Sequence, residues 1–251
     1  TCALPICRLT AANSVAGGAL FFESGAVCNT NTQLTYYPFG SASSSNPGAT
    51  EAIVFKSGSK LVYQNGNSPF SSTSTYKPVL FQSGSIFRIE TPVPSATVTS
   101  SDLFGGRRFA NVEIGANANV TGDFFYNIDN LTIEAGSSFY LKTSGASPVS
   151  GNIVNNGTFG SAVGFTSSVL LMKGTTPQTI SGSGTFAPLG ALSVSADADV
   201  TLGVNLVANS SSNSLINGKI NFRSKTLSGL GTFQTKAQLP ITSNVSSAVI
   251  G

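Results

Sequence analysis

One strand–turn–strand phrase recurs along this chain and restricts the folds that are open to it. Each copy has two apolar residues spaced two apart, then a small residue, a turn residue and another apolar residue three positions beyond the turn. The stretch VLFQSGSIF at 79–87 is one copy, and IVFKSGSKL at 53–61 is another. In six copies the turn position holds Gly25, Gly58, Gly84, Asn117, Gly136 or Asp197. The chain therefore repeats one structural unit.

The residues at the turn position share a backbone property. Gly, Asn and Asp adopt positive φ at lower cost than other residues do. We therefore predict a left-handed conformation at all six positions, with a bent strand around each. The apolar residues before and after the turn then face the interior.

Two all-β architectures fit short strands with frequent turns and no helical periodicity: a parallel β-solenoid and an antiparallel β-sandwich. Successive strands of a sandwich reverse direction and have no reason to share one turn phrase. Each coil of a parallel solenoid repeats the previous one about 4.8 Å away, so a shared phrase is expected. We predict a right-handed parallel β-solenoid that forms a single elongated domain, with the antiparallel β-sandwich as the alternative.

Stacking of successive coils predicts two ladders of inward-facing side chains. The ladder before the turn would contain Phe22, Phe55, Phe81, Ile114, Ile133 and Val194. The ladder after the turn would contain Cys28, Leu61, Phe87, Val120, Phe139 and Val200. On this interpretation most of the 17 phenylalanines belong to the core.

The repeats divide the chain into segments. We expect an N-terminal cap or edge at 1–18, solenoid repeats at 19–235, and a continuation or C-terminal edge of a larger protein at 236–251. Long Ser/Pro/Gly-rich insertions are predicted at 30–50, 64–78 and 91–108. Because the sequence starts with neither an initiator Met nor a signal peptide, we expect a mature fragment of a larger protein.

Cys2, Cys7 and Cys28 all lie near the start of the chain and show no zinc-type spacing. Cys7 and Cys28 are 21 residues apart, which is about one coil, so their side chains would lie on neighbouring rungs. They are the candidate disulfide pair. Such a bond would fasten the N-terminal edge, where an open solenoid frays.

The amino-acid composition limits the kinds of functional site that this chain can form. The chain has no histidine, which removes catalytic triads and His–metal sites, and its 10 acidic residues are dispersed. We therefore predict no catalytic residue, no metal site and no cofactor. A net charge of +3 gives no indication of nucleic-acid binding. The candidate ligand contacts are the aromatic residues Tyr36, Tyr37 and Phe39 of the first insertion, since binding residues are found on loops more often than on scaffold strands.

Several phrases resemble a known group of proteins: AIVFKSGSKLVY, PVLFQSGSIFRIETP and FGGRRFANVEI, followed by LTIEAGSSFYL and GNIVNNGTF. They are similar to the β-helical repeat regions of large secreted surface proteins of Bacteroidota, which the type IX secretion system exports. The resemblance covers roughly residues 19 to 235. It implies an extracellular or outer-surface location and a stalk, filament or adhesin-like role, and it supplies no active-site motif. The C-terminal sorting domain usual in such proteins is missing, which agrees with a fragment.

We therefore expect a non-catalytic structural or adhesin-like module of an exported cell-surface protein. Its expected partners are surface glycans or other segments of the same protein. We expect no nucleic-acid partner and no insertion into a membrane. Two alternatives stay open. One is a carbohydrate-active β-helix enzyme similar to polysaccharide lyases, and the other is a glycan-binding module that uses the insertion aromatics.

Overall fold

The fold is a parallel β-solenoid. The computed structural model describes residues 18, 20–31, 39, 51–65, 69–70, 79–90, 97–99, 108–115, 117–122, 127–142, 145–208, 214–229, 233–235 and 241–242. Within these ranges the strands pair in parallel, and no helix is present. The predicted solenoid is therefore confirmed and the alternative sandwich is wrong. The right-handed sense of the coil stays a prediction.

A main sheet runs along the whole solenoid, with successive strands contributed by successive coils. Its continuous path is β2 (Val27–Asn31), β4 (Lys60–Asn65), β6 (Ile86–Ile89), β8 (Phe109–Ile114), β10 (Ile128–Ile133), β13 (Ile153–Asn155), β16 (Gln178–Ser181), β19 (Asp199–Leu202), β22 (Lys219–Asn221) and β25 (Ile241–Thr242). The main sheet forks at β10, which pairs with β8 on one side and with both β12 (Ala146–Val149) and β13 on the other. The second arm is β12 (Ala146–Val149), β15 (Val169–Met172), β18 (Ala191–Val194), β21 (Ser214–Ile216) and β24 (Phe233–Thr235).

Smaller parallel sheets form the other sides of the coils. The first side sheet contains β1 (Leu20–Phe22), β3 (Ile53–Phe55) and β5 (Val79–Phe81). The second side sheet contains β7 (Thr97–Thr99), β9 (Asn119–Gly122), β11 (Ser138–Leu141), β14 (Thr158–Ser161) and β17 (Thr185–Phe186). A further pair is made by β20 (Leu206–Val207) and β23 (Leu227–Ser228).

The turn phrase has the backbone geometry that its residues predict at five of six positions. The φ angles are 81° at Gly25, 77° at Gly58, 81° at Gly84, 62° at Asn117 and 79° at Gly136. Each turn closes with a hydrogen bond between residues three apart, as when the Ser85 N–H donates to the Gln82 carbonyl at 2.9 Å. A type II turn requires positive φ at this position, which explains the preference for glycine.

The prediction of positive φ is wrong for Asp197, which is not among the residues with positive φ. The turn is nevertheless closed, because the Ala198 N–H donates to the Ser195 carbonyl at 3.0 Å. A type I turn makes the same hydrogen bond with negative φ at this position, and it accepts most residues there. Gly164, with φ of 84°, forms a further positive-φ turn of this kind, which the sequence pattern missed.

The same phrase serves different corners of the solenoid. Around Gly25, Gly58 and Gly84 it joins the first side sheet to the main sheet. Around Asn117 and Gly136 it joins the main sheet to the second side sheet. Around Asp197 it joins the two arms of the main sheet. The sequence position of the phrase therefore does not fix the side of the coil on which it lies.

This change of corner makes the predicted ladders wrong in part. The predicted residues are buried, apart from Phe22, which is partly buried against the core. Phe22, Phe55 and Phe81 do lie in register. Ile114, however, lies in register with Ile89 and Ile133 in a different sheet.

The second predicted ladder divides at the same point. Cys28, Leu61 and Phe87 lie in register, but Phe87 is followed by Val112 and not by Val120. The remaining members belong to other columns: Val120 aligns with Phe139, Val194 with Met172 and Ile216, and Val200 with Gln178 and Ile220. The cause is that the phrase moves from the turn before the main-sheet strand to the turn after it. The turn positions Gly84 and Asn117 are 33 residues apart, whereas Phe87 and its stacked partner Val112 are 25 apart.

Phenylalanine rings fill the early coils, as the composition predicts. The rings of Phe22 and Phe55 stack with centroids 4.3 Å apart, and those of Phe55 and Phe81 with centroids 5.0 Å apart. Phe109 extends this packing, with its ring centroid 4.9 Å from those of both Phe81 and Phe87. Each additional coil therefore buries a large apolar ring against the preceding one.

The predicted segment boundaries stay predictions. Strand β7 lies inside 91–108 and supplies a side-sheet strand that pairs with β9. Strand β25 lies beyond residue 235 and pairs with β22. Residues 1–17 of the predicted cap and most of the insertions lie outside the described residues.

Replacing Gly136 with alanine is expected to lower the free energy of unfolding by about 1–2 kcal/mol, because alanine would have to adopt positive φ. Nothing lies within 4 Å of the added Cβ, so the loss reports backbone strain alone. Asp197→Ala at the corresponding position of another copy should cost less than about 0.5 kcal/mol. Urea denaturation followed by circular dichroism measures both, and equal losses would contradict the two turn types.

Candidate functional site

A network of charged side chains lies on the outer face of the main sheet. Arg88 of β6 stands in register with Glu113 of β8, and Glu134 follows β10 one coil further on. The Arg88 Nη1 atom lies 3.0 Å from the Glu113 carboxylate and 2.5 Å from the Glu134 carboxylate. The Arg88 Nη2 atom donates a second bond to Glu134 at 2.9 Å, and the Arg88 Nε atom donates to Glu90. One guanidinium therefore links three successive coils.

The local sequence provides space for this guanidinium. A Cβ atom added to Gly115 would lie 2.6 Å from Arg88 Nη2, so the absence of a side chain there allows the arginine to lie flat across the coils. The Arg88 side chain is only 16% exposed. Lys60, on the other side of the network, contacts Glu113 at 3.2 Å.

Hydrogen bonds to Glu134 raise the pKa of Arg88 above its ordinary value, and the bonds to Glu90 and Glu113 act in the same direction against partial burial. Because the pKa of Arg88 is raised in the folded state, the charged guanidinium contributes to stability at neutral pH, and this contribution is lost only as the pH rises through that pKa. Glu90, Glu113 and Glu134 all bind Arg88, and Glu113 also binds Lys60. This arrangement fastens neighbouring coils together.

A row of asparagines makes a second set of links between coils. The Asn111 amide donates to the Ser85 carbonyl at 3.0 Å, and the Asn130 amide donates to Asn111 Oδ1 at 2.9 Å. Asn130 Oδ1 accepts from the Asn152 N–H, and Asn152 Oδ1 accepts from the Thr179 N–H, both at 2.8 Å. The side-chain amides of Asn111 and Asn130 thus each bond to the coils on both sides, and Asn152 continues the row with its backbone N–H on one side and its side-chain oxygen on the other.

An open polar groove of about 490 Å³ lies at the corner that leads into the second side sheet. Four successive coils line it with the segments 117–119, 136–138, 156–158 and 183–185. The outward side chains of Asn119, Ser138, Thr158 and Thr185 lie in register along it. Three strand spacings of about 4.8 Å give this row a length of roughly 14 Å.

The predicted site residues have different outcomes. Phe39 was expected to contact a ligand, but its ring is 1% exposed and packs edge-on against Phe22 and Phe55. The prediction is wrong for Phe39, because a ring enclosed on all sides offers no face to a ligand. Tyr36 and Tyr37 lie outside the described residues.

The candidate disulfide stays a prediction. Cys28 is buried in the core at 2% exposure, in register with Leu61. Its proposed partner, Cys7, lies outside the described residues. Within the described part of the chain, no group of three or more His, Cys, Asp or Glu residues is arranged to hold a metal ion.

Sequence reasoning missed the Arg88 network, the asparagine ladder and the groove. Arg88, Glu113 and Glu134 each lie beside an inward-facing residue of the phrase, so alternation places them outward. Their contact depends on β6 stacking directly on β8. That pairing crosses between different positions of the phrase, and the repeat pattern gave no signal for it.

No family model matches this chain, and neither a curated protein nor a solved structure matches it significantly. The described part also contains no helix long and apolar enough to cross a membrane. The fold and its surface chemistry are therefore the basis for inferring function.

Replacing Arg88 with glutamine is expected to lower the free energy of unfolding by about 1–2 kcal/mol at pH 7, since three carboxylates lose their shared cation. Urea denaturation at pH 7 measures this.

The matched control is Lys219→Gln, which removes an exposed ion pair with Asp199. This variant should change stability by less than about 0.5 kcal/mol. Equal losses in the two variants would contradict the role given to the network.

Proposed function

We propose that this chain is a non-catalytic structural segment of an exported cell-surface protein and serves as a stalk or adhesin-like module. The observation that carries the proposal is that its charged side chains act between coils. Lys56 pairs with Glu23, Arg108 with Asp129 and Lys219 with Asp199, in each case joining neighbouring coils. The network around Arg88 extends the same pattern over three coils.

Mechanical continuity supports this role. Ten strands follow one another along the main sheet, which corresponds to roughly 43 Å at about 4.8 Å per strand. Backbone hydrogen bonds, stacked phenylalanine rings and asparagine amides all cross from coil to coil. A unit built in this way resists bending and separates whatever is attached to its two ends.

The engagement of carboxylates argues against the alternative of a polysaccharide-cleaving enzyme. Such an enzyme needs acidic groups that are available to bind calcium or exchange a proton with the substrate. Glu90, Glu113 and Glu134 are instead bound to Arg88, and the remaining paired carboxylates lie on different coils. The expected partners are surface glycans or other segments of the same surface protein, and the expected location is the outer cell surface.

Antibodies raised against the purified chain are expected to label intact cells of the source organism, because a stalk or adhesin must project outward. External proteinase K should remove that labelling without lysing the cells. Labelling that requires permeabilisation, or that resists the proteinase on intact cells, would contradict the proposed location.

A second experiment separates the structural role from the enzyme. The chain is incubated with acidic and neutral polysaccharides, with and without calcium, and reducing ends and unsaturated products are measured. No turnover is expected. Turnover that is abolished by Glu113→Gln but retained by the control Asp199→Asn, with both variants folded by circular dichroism, would favour the enzyme.

A further inference from the structure

We propose that the corner groove formed by 117–119, 136–138, 156–158 and 183–185 binds a neutral polysaccharide chain that runs along the solenoid axis. This site goes beyond the structural role, since a stalk could exist without it. It also differs from the insertion aromatics predicted from sequence, because it is made by the repeats themselves.

The shape of the groove is built into the coil. A Cβ atom at Gly157 would collide with the Ser137 carbonyl of the previous coil, and one at Gly184 would collide with the Gly157 carbonyl. Glycine is therefore required at both positions for the coils to stack, and its lack of a side chain keeps the floor of the groove low. A groove maintained by backbone stacking is preorganised, so the protein loses little conformational entropy when a ligand binds.

Hydrogen-bonding groups along the groove are available to a ligand. The Thr158 and Thr185 side chains lie in register on the outward face, and their hydroxyls make no hydrogen bond within the described part of the chain. By contrast, the Ser138 hydroxyl donates to Asn119 Oδ1 at 2.7 Å, which holds that amide in place with its Nδ2 atom as a remaining donor. The row thus offers both donors and acceptors at the regular spacing of the coils.

The chemistry of the lining selects the class of ligand. None of the 12 described residues that line the groove is charged, so they supply no cation to bind a uronate, sulfate or phosphate group. Sugar hydroxyls donate and accept hydrogen bonds, which matches hydroxyl and amide side chains. Tyr140 lies on the same face of β11 two residues beyond Ser138 and is partly exposed, so an aromatic surface borders the groove. Together these features fit a neutral hydroxyl-rich polymer.

The direction of the groove favours a chain over a single sugar. Equivalent residues of four coils line it, and they repeat along the axis at about 4.8 Å. A polymer lying along the groove meets the same kind of contact at each coil. Individually weak hydrogen bonds are then summed over the length of the site.

The test is affinity electrophoresis and isothermal titration calorimetry of the whole chain with neutral glucans, mannans and xylans, and with polygalacturonate and alginate as the acidic arm. Binding is expected to one or more of the neutral polymers and not to the acidic ones. The double variant Thr158→Val and Thr185→Val removes two hydroxyls while keeping side-chain shape. It should weaken binding by about tenfold, the effect of losing two ordinary hydrogen bonds.

A matched control is available in the main sheet. Thr179 and Thr201 are also cross-strand neighbours, on β16 and β19, and point outward away from the groove. The double variant Thr179→Val and Thr201→Val should bind as the wild type does. Equal weakening by both double variants would overturn the site, and so would absence of binding to every neutral polymer.

A second pair of variants tests the groove by filling it. Gly136→Asn adds a side chain in the groove at a φ of 79°, and Gly25→Asn adds the same side chain at a φ of 81° on a different corner. Neither added Cβ meets an atom within 4 Å, so both variants should fold alike. Weaker binding by the Gly136 variant alone is the expected result, and unchanged binding by both variants would overturn the proposal.

Discussion

The parallel in-register hydrogen bonding between successive coils is the interaction on which the rest of this structure depends. It places equivalent positions of neighbouring coils next to each other, so that a side chain suited to one coil meets a similar one on the next. Phe22, Phe55 and Phe81 form a ring column in this way, and Asn111, Asn130 and Asn152 form an amide ladder. Neither column would exist if the strands were shifted by one residue, since that shift exchanges the inner and outer faces.

Scarcity of charge gives the few ionic groups a large structural role. Within the described residues the ion pairs connect different coils, except for the bond between Arg88 and Glu90. Exposed pairs contribute little individually. The Arg88 network differs because it is partly buried and bidentate, and because it fixes three coils at the point where the phrase changes corners. Its position strengthens a part of the solenoid where the repeat is least regular.

The sequence allowed the fold class and the buried positions to be predicted, because each copy of the phrase carries its own turn and its own inward residues. The column to which a residue belongs could not be predicted. Ile114 follows the same local pattern as Phe81, yet the two lie in different sheets, since the phrase does not encode which two sides it joins. The Arg88 network and the groove depend on which strands stack on each other, and the sequence pattern did not predict this register. Phe39 was misassigned because an aromatic residue within a polar insertion looks the same in the sequence whether its ring faces a ligand or, as here, packs on Phe55 in the core.

The use of one phrase at several corners also affects how such a chain can change over generations. Recombination between two copies at the same corner would add or remove a complete coil. Recombination between the copies around Gly84 and Asn117 would instead add or remove a coil plus one side, and the new junction would still be a working turn. The fork at β10, where one strand is followed by two, is the kind of irregularity that such an unequal exchange would leave. A rod built from interchangeable corners can therefore alter its cross-section, as well as its length, without inventing a new turn.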